Sequence, residues 1–423
     1  MATAASFFIS PCASCGGITR FPLALFFVVP LASLDPSQIT LFKGYRPADF
    51  RARPGWVEDL LPYILASNLR FLSIQYDGAK YTNPQRVLGI ITNLLESASS
   101  VRVMKLKIRG DLKLHPELFI HSKDHLHLQH LILDCISLSA PSLLSCVGQF
   151  PSLTRLKIRV QKGFPVLFKN TITLSRLSRL ELAACETEIA VAFLGCIKNL
   201  ANVTDVIISI EEILPFEHEL RQVSYEIQRL CSPRFLQYLN ISFNDFGSPR
   251  EAPPPLMPEN PGFSLQTFLP LIANFSLRVL NLSLQLPLLL SSRNLTVEMA
   301  SAWTNLVSIR IDPGHLIPQD GDAAIPFQKL IAFFQVCKRL RQLYIPFQYA
   351  ASDRLPCIPA TFLYDLGLGY ISPRSEEMLI LARWLRVVAP ALPEVSLVDG
   401  RGDIVVYSIY ELIDESDVFG SVG

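Results

Sequence analysis

The chain has little net charge, few charged residues of either sign and no familiar catalytic signature. Its 38 basic and 37 acidic residues leave a formal balance of +1, so no global field draws nucleic acid or an anionic membrane surface. Charged residues make up 18% of the chain, below the roughly 25% usual in soluble domains, while hydrophobic residues reach 50%. That balance excludes disorder over most of the length. No G-x-S-x-G elbow, G-x-x-x-x-G-K phosphate loop or G-x-G-x-x-G turn occurs, so the common nucleophile and nucleotide sites are missing. Neither an enzyme nor a cofactor is expected.

A disulfide framework is missing too. The nine cysteines, an odd number, are scattered and stand mostly beside apolar residues, as free buried thiols of a reducing compartment do. An intracellular protein, cytoplasmic or nuclear, is the expectation. Five glycosylation sequons begin at Asn202, Asn240, Asn274, Asn281 and Asn294, but three fall within or at the start of expected core strands, where no glycan can be attached. The apolar run Phe21 to Leu34 is broken by Pro22 and Pro30 and is shorter than the ~20 residues of a spanning helix. As a secretion signal it offers only Arg20 before it and no A-x-A site after it. A secreted or membrane-associated receptor, the alternative reading, requires that run to direct translocation.

What the chain has is a repeat. An L-x-x-L-x-L template, with any aliphatic allowed, starts at Leu69, Val103, Leu128, Leu153, Leu177, Val203, Leu236, Leu277, Leu306, Leu340, Leu363 and Leu392. The starts lie 34, 25, 25, 24, 26, 33, 41, 29, 34, 23 and 29 residues apart, at or somewhat above the period of about 20 to 29 that defines leucine-rich repeats. Within each copy the last positions alternate, which gives a short strand with aliphatics on one side. Between strands, apolar residues recur at helical spacing: Pro84 to Leu95, Ile189 to Leu200, Glu217 to Leu230, Phe263 to Ala273, Pro326 to Leu340 and Glu376 to Val388. Strand then helix at constant polarity gives a parallel inner sheet with outer helices, a leucine-rich-repeat-like α/β solenoid or horseshoe. A doubly wound domain would need strands apolar on both faces, yet here Lys105, Lys107, Arg155 and Lys157 stand between the aliphatics.

The solenoid is expected over residues 56–411, after an irregular leader at 1–55 and before a tail at 412–423. Pro249 to Pro261 (PREAPPPLMPENP) reads as a loop inserted in the longest repeat.

The stretches FPSLTRLKI from Phe150, LSRLELAAC from Leu177 and LQYLNISFND from Leu236, with Cys185 and Asn244 at the repeat's Cys/Asn position, look like degenerate leucine-rich repeats. Together with the irregular periods and the closing MLILARWLRVVAPALPEVSLVDG, they resemble the fungal F-box-like leucine-rich-repeat proteins over about residues 56 to 400. The resemblance implies a substrate-binding repeat array and, through an N-terminal F-box, docking to the adaptor of a cullin-type ubiquitin ligase. Here the F-box itself is not recognisable: residues 1 to 56 offer only LASLDPSQITLF before Trp56. The module is lost, or a wrong start or exon has replaced it.

Smaller motifs add little. Cys12 and Cys15 form a C-x-x-C with no second pair at ligand spacing. His115, His121, His125, His127 and His130 crowd together, but the glutamate of H-E-x-x-H is missing, so a metal-dependent enzyme is the weaker alternative. Arg401, Gly402 and Asp403 read as a turn after the last strand.

The register also exposes a surface. At template offsets two, four and six the early repeats present Lys105, Lys107, Arg109, His130, Arg155, Lys157, Arg159 and Arg179, a basic row in which none is expected to neutralise another. Such a row suits an acidic or phosphorylated protein partner, with guanidinium groups pairing to its oxygens. Later repeats present Tyr238, Asn240, Ser242, Asn281, Ser283, Arg310, Gln342 and Tyr344, an aromatic-containing strip suited to protein rather than nucleic-acid contact.

Overall fold

The structure is a computed structural model. It describes residues 101–109, 127–135, 150–160, 171–211, 217–243, 276–283, 295–312, 325–345, 363–370, 375–398 and 404–409, the strands at 38–41 and 71–77, and a few shorter pieces. One sheet runs through all of it. Its strands are β1 (Gln38–Leu41), β2 (Phe71–Asp77), β3 (Val103–Arg109), β4 (His130–Cys135), β5 (Arg155–Val160), β6 (Arg179–Ala184), β7 (Asp205–Ile210), β8 (Tyr238–Phe243), β9 (Val279–Ser283), β10 (Ser308–Asp312), β11 (Gln342–Tyr344), β12 (Asp365–Tyr370), β13 (Glu394–Val398) and β14 (Ile404–Ser408). Their spatial order is their chain order. Every neighbouring pair is parallel except the last, where β14 returns antiparallel to β13. This is the expected leucine-rich-repeat-like α/β solenoid.

Alternation along each strand builds the interior. Leu156, Ile158 and Val160 of β5 stand in register with Leu180, Leu182 and Ala184 of β6 and with Val206, Ile208 and Ile210 of β7, and all are at most 6% exposed. These stacked apolar rows continue through Leu239 and Ile241, Leu280 and Leu282, and Ile309 and Ile311. The first template aliphatics Leu128, Leu153, Leu177, Val203 and Leu236 are buried as well, which closes the turn into the strand.

One copy was read two residues out of register. Val103 pairs with His130, and Val101, fully buried, takes the place of Leu128 in its own repeat. The stretch VRVMKLKI satisfies the template from either valine, and a slip of two keeps every side chain on its face, so periodicity alone cannot choose.

A backbone spine fixes where each strand begins. The carbonyl of Arg102 accepts the N–H groups of both Gln129 and His130; Gln129 does the same for Thr154 and Arg155, Thr154 for Ser178 and Arg179, and Ser178 for Thr204 and Asp205. The pattern continues from Thr204 through Gln237, Arg278, Val307 and Arg341 to Tyr364 and Asp365. Hydroxyls at this position reinforce it, Ser178 Oγ donating to Thr154 O at 3.0 Å and Thr204 Oγ1 to Ser178 O at 3.1 Å.

The helices α1 (Thr187–Gly195), α2 (Glu217–Leu230), α3 (Leu295–Ala302), α4 (Phe327–Val336) and α5 (Ser375–Val388) cover the apolar side of the sheet. In α2, Leu220, Val223, Ile227 and Leu230 form the buried stripe, with Glu217 and Glu219 in the first turn and Arg229 in the last, as the helix dipole favours. Arg229 ties neighbouring repeats together by donating to the carbonyls of Leu194 at 3.1 Å and Ile197 at 3.2 Å.

The differences from expectation are local. The helix expected over Ile189 to Leu200 stops at Gly195, and Ile197–Asn199 becomes a short strand paired with Ile172–Thr173 on the outer side. Similar two-stranded pairings join Phe263–Ser264 to Leu288–Leu289 and Ile325–Pro326 to Phe347–Gln348. Helix α3 was not expected. Strand β1 lies inside the stretch read as an irregular leader, and its QITL belongs to the fragment compared with an F-box. Pro84 to Leu95, Cys12, Cys15, His115, His121, His125, and Arg401 to Asp403 lie outside the described residues.

Candidate functional site

The helix-free face of the sheet carries the residues singled out from sequence, and strand register sets them in three rows. The first runs Val103, His130, Arg155, Arg179, Asp205, Tyr238. The second runs Lys105, Ile132, Lys157, Glu181, Ile207, Asn240, Asn281, Arg310, Tyr344, Gly367, Ser396. The third runs Lys107, Asp134, Arg159, Ala183, Ser209, Ser242, Ser283. Arg109 pairs in register with Asp77, its side chain lying outside the described residues.

Acids that the sequence reading did not single out stand among the cations of the basic row. Lys157 Nζ donates to Glu181 at 2.7 Å and Arg179 Nε to the same carboxylate at 2.8 Å. Arg159 bridges two acids, Glu211 at 2.5 Å and Asp134 at 3.7 Å. Burial alone would raise the Glu181 carboxyl, but the cations of Lys157 and Arg179 overcome it and hold the group below the usual carboxylate range. At His130, burial and then the adjacent Arg155 push the imidazole pKa down, so the ring is neutral near pH 7 and adds no charge. What is left is smaller and displaced toward β3 and β5: among the described residues no ion pair joins Lys105, Lys107 or Arg155 to a carboxylate.

Two of the missed acids could have been read from sequence. Asp134 stands at offset six of the third repeat and Glu181 at offset four of the fifth, the same positions that gave the cations. Glu211 follows the end of its strand and carried no such signal.

At the far end a second polar cluster surrounds Tyr344. Its hydroxyl donates to Asp365 Oδ1 and meets Ser396, while Gln342 Nε2 donates to Asp365 Oδ2 at 3.2 Å. The guanidinium of Arg310 lies over the ring, 5.1 Å from its centre. Burial, together with the hydrogen bond to Asp365, raises the Tyr344 pKa above its ordinary value. Gln342 and Tyr344 of the aromatic-containing strip are thus bonded to Asp365, and Arg310 beside them is exposed.

Between the clusters the second and third rows carry uncharged side chains. Ser242 Oγ donates to Ser209 Oγ at 3.2 Å, and the side-chain oxygens of Asn240 and Asn281, neighbours in register, are buried without a hydrogen-bond partner.

Among the described residues no group of three or more His, Cys, Asp or Glu is placed to hold a metal ion, and no helix is long and apolar enough to cross a membrane. Cys196, Cys231 and Cys337 are buried free thiols, pushed up to about 11, 12 and 11 by desolvation.

No protein-family model matches the chain, and no curated protein matches it. Among solved structures it is similar to a chain in the crystal structure of a Rad7 and Elc1 complex in yeast, at 11% identity and a TM-score of 0.40, over 80% of this chain and 78% of that one. It is also similar to a chain in the crystal structure of a TLR13–ssRNA13 complex, at 12% identity and a TM-score of 0.33, over 80% of this chain and 50% of that one.

Proposed function

We propose that this solenoid is a non-enzymatic protein-binding scaffold whose helix-free sheet face holds an acidic or phosphorylated protein ligand. The observation that carries the reading is the set Lys105, Lys107 and Arg155, cations on one open face with no ion-pair partner among the described residues, beside Lys157, Arg159 and Arg179, which are each paired with a carboxylate. Desolvating a matched pair gains little, whereas an unmatched lysine or arginine keeps its full attraction for a partner's oxygens. An extended parallel sheet open on one side also supplies the area that a specific protein interface needs.

Service as the substrate-holding part of an F-box-like ubiquitin-ligase receptor is the family-level extension of this reading, and it rests on the sequence resemblance. Its two parts are separable by experiment. Affinity purification of the full chain is compared with a Lys105→Glu, Lys107→Glu, Arg155→Glu variant, using Lys198→Glu, an exposed lysine away from this face, as the comparison. Selective loss of partners from the triple variant is expected; unchanged recovery overturns the basic-face reading. Absence of any cullin adaptor among the proteins recovered with the intact chain overturns the ligase role and leaves the scaffold.

A further inference from the structure

We infer that the ligand is a single extended segment held at two anionic groups, one at Arg155 with Lys105 and one at Arg310, separated by an uncharged stretch. This inference rests on the scaffold reading above and names the spacing of the partner's charges.

Three observations converge on it. Arg310 is the only cation of the second row beyond Lys157 among the described residues, and it is exposed and stacked on Tyr344. Tyr344 is itself fastened to Asp365 and Ser396, so the guanidinium rests on a rigid base and loses little freedom when it pairs with a carboxylate or phosphate. On β8 and β9, next to Arg310, the floor is uncharged, made of Tyr238, Asn240, Ser242 and Asn281, while on β6 the one cation, Arg179, is already paired with Glu181. Asp205, in register with both Arg179 and Tyr238, stands where a third anion on the segment would be repelled.

The spacing follows from the sheet. Arg155 lies on β5 and Arg310 on β10, five strand intervals apart, or about 24 Å at roughly 4.8 Å each. An extended chain rises about 3.4 Å per residue, so the anionic residues should stand about seven positions apart. Residues three apart reach only about 10 Å and cannot engage both ends.

The test uses the full chain and fluorescent, otherwise neutral peptides carrying one phosphoserine, or two placed at i and i+3 or at i and i+7. We expect the i, i+7 peptide to bind at least about tenfold tighter than the others, because the second contact becomes intramolecular. Arg310→Gln should erase that advantage without weakening the singly phosphorylated peptide, with circular dichroism confirming an intact fold. Equal binding of the two doubly phosphorylated peptides overturns the two-point reading; if Arg155→Gln still weakens all of them, the basic face survives. Peptide binding that is indifferent to Arg155→Gln, or absent for every peptide, overturns both.

Discussion

Gly367 leaves the space in which the Tyr344 ring lies. The two are neighbours in register on β12 and β11, and a Cβ on Gly367 would stand 1.9 Å from Tyr344 Cδ1. The missing side chain lets the ring lie across the next strand and bring its hydroxyl to Asp365. Gly367→Ala should therefore destabilise the protein by about 1–3 kcal/mol, the usual cost of overpacking. The loss should shrink markedly in a Tyr344→Ala background, as a double-mutant cycle of urea unfolding midpoints would measure.

Cations of the same row should differ in their structural weight. Arg159 is about one-third exposed and bridges Asp134 and Glu211, so Arg159→Met strands two carboxylates and should cost about 1–3 kcal/mol. Arg155→Met and Lys105→Met break no ion pair among the described residues and should stay within about 0.5 kcal/mol. Chemical denaturation of the three variants separates them, and equal losses would contradict the pairing described.

The fold of the repeats was legible in the sequence because the apolar rows report themselves. An aliphatic at the wrong offset has nowhere to go in a stacked interior, so eleven of the twelve template starts coincide with the register of the sheet, Val103 being the exception. The open face was less legible. Side chains there answer to neighbours about 25 residues away, and Lys157 meeting Glu181 or Arg159 meeting Glu211 depends on which strands lie side by side. The small outer strands were missed because two residues carry no period, and β14 because nothing in IVVYS marks a reversal of direction.

The corrected register makes its own prediction. Val101 is fully buried and Val103 only partly so, in spite of their equal claims to the template. Val101→Ala should lower stability by about 1–3 kcal/mol and Val103→Ala by clearly less. The reverse order in thermal unfolding would restore the alignment first expected.

Stability should fall on both sides of neutral pH. The Glu181 carboxyl is depressed in the folded state, so its contribution is present above the unfolded carboxylate value and is lost as pH drops through the folded one. His130, also depressed, is held neutral by the fold while the unfolded chain takes up a proton, so stability declines below about pH 6.5. Tyr344 is raised: the folded state keeps its proton where the unfolded chain has released it, so stability declines above about pH 10. His130→Gln should flatten the melting-temperature profile between about pH 5 and 7, and Tyr344→Phe should flatten its alkaline arm. Profiles that keep their slopes in these variants would assign the titrations to other groups.

The shared carbonyls from Arg102 to Arg341 bear on how such a protein can change over time. Each strand starts from a carbonyl of its predecessor, and whatever happens along the outer arc returns to the same peg. Arcs of very unequal size are thereby made equivalent as seen from the open side. Insertions can accumulate at the back of the molecule while the residues a ligand meets keep their positions, so recognition and chain length are free to evolve separately.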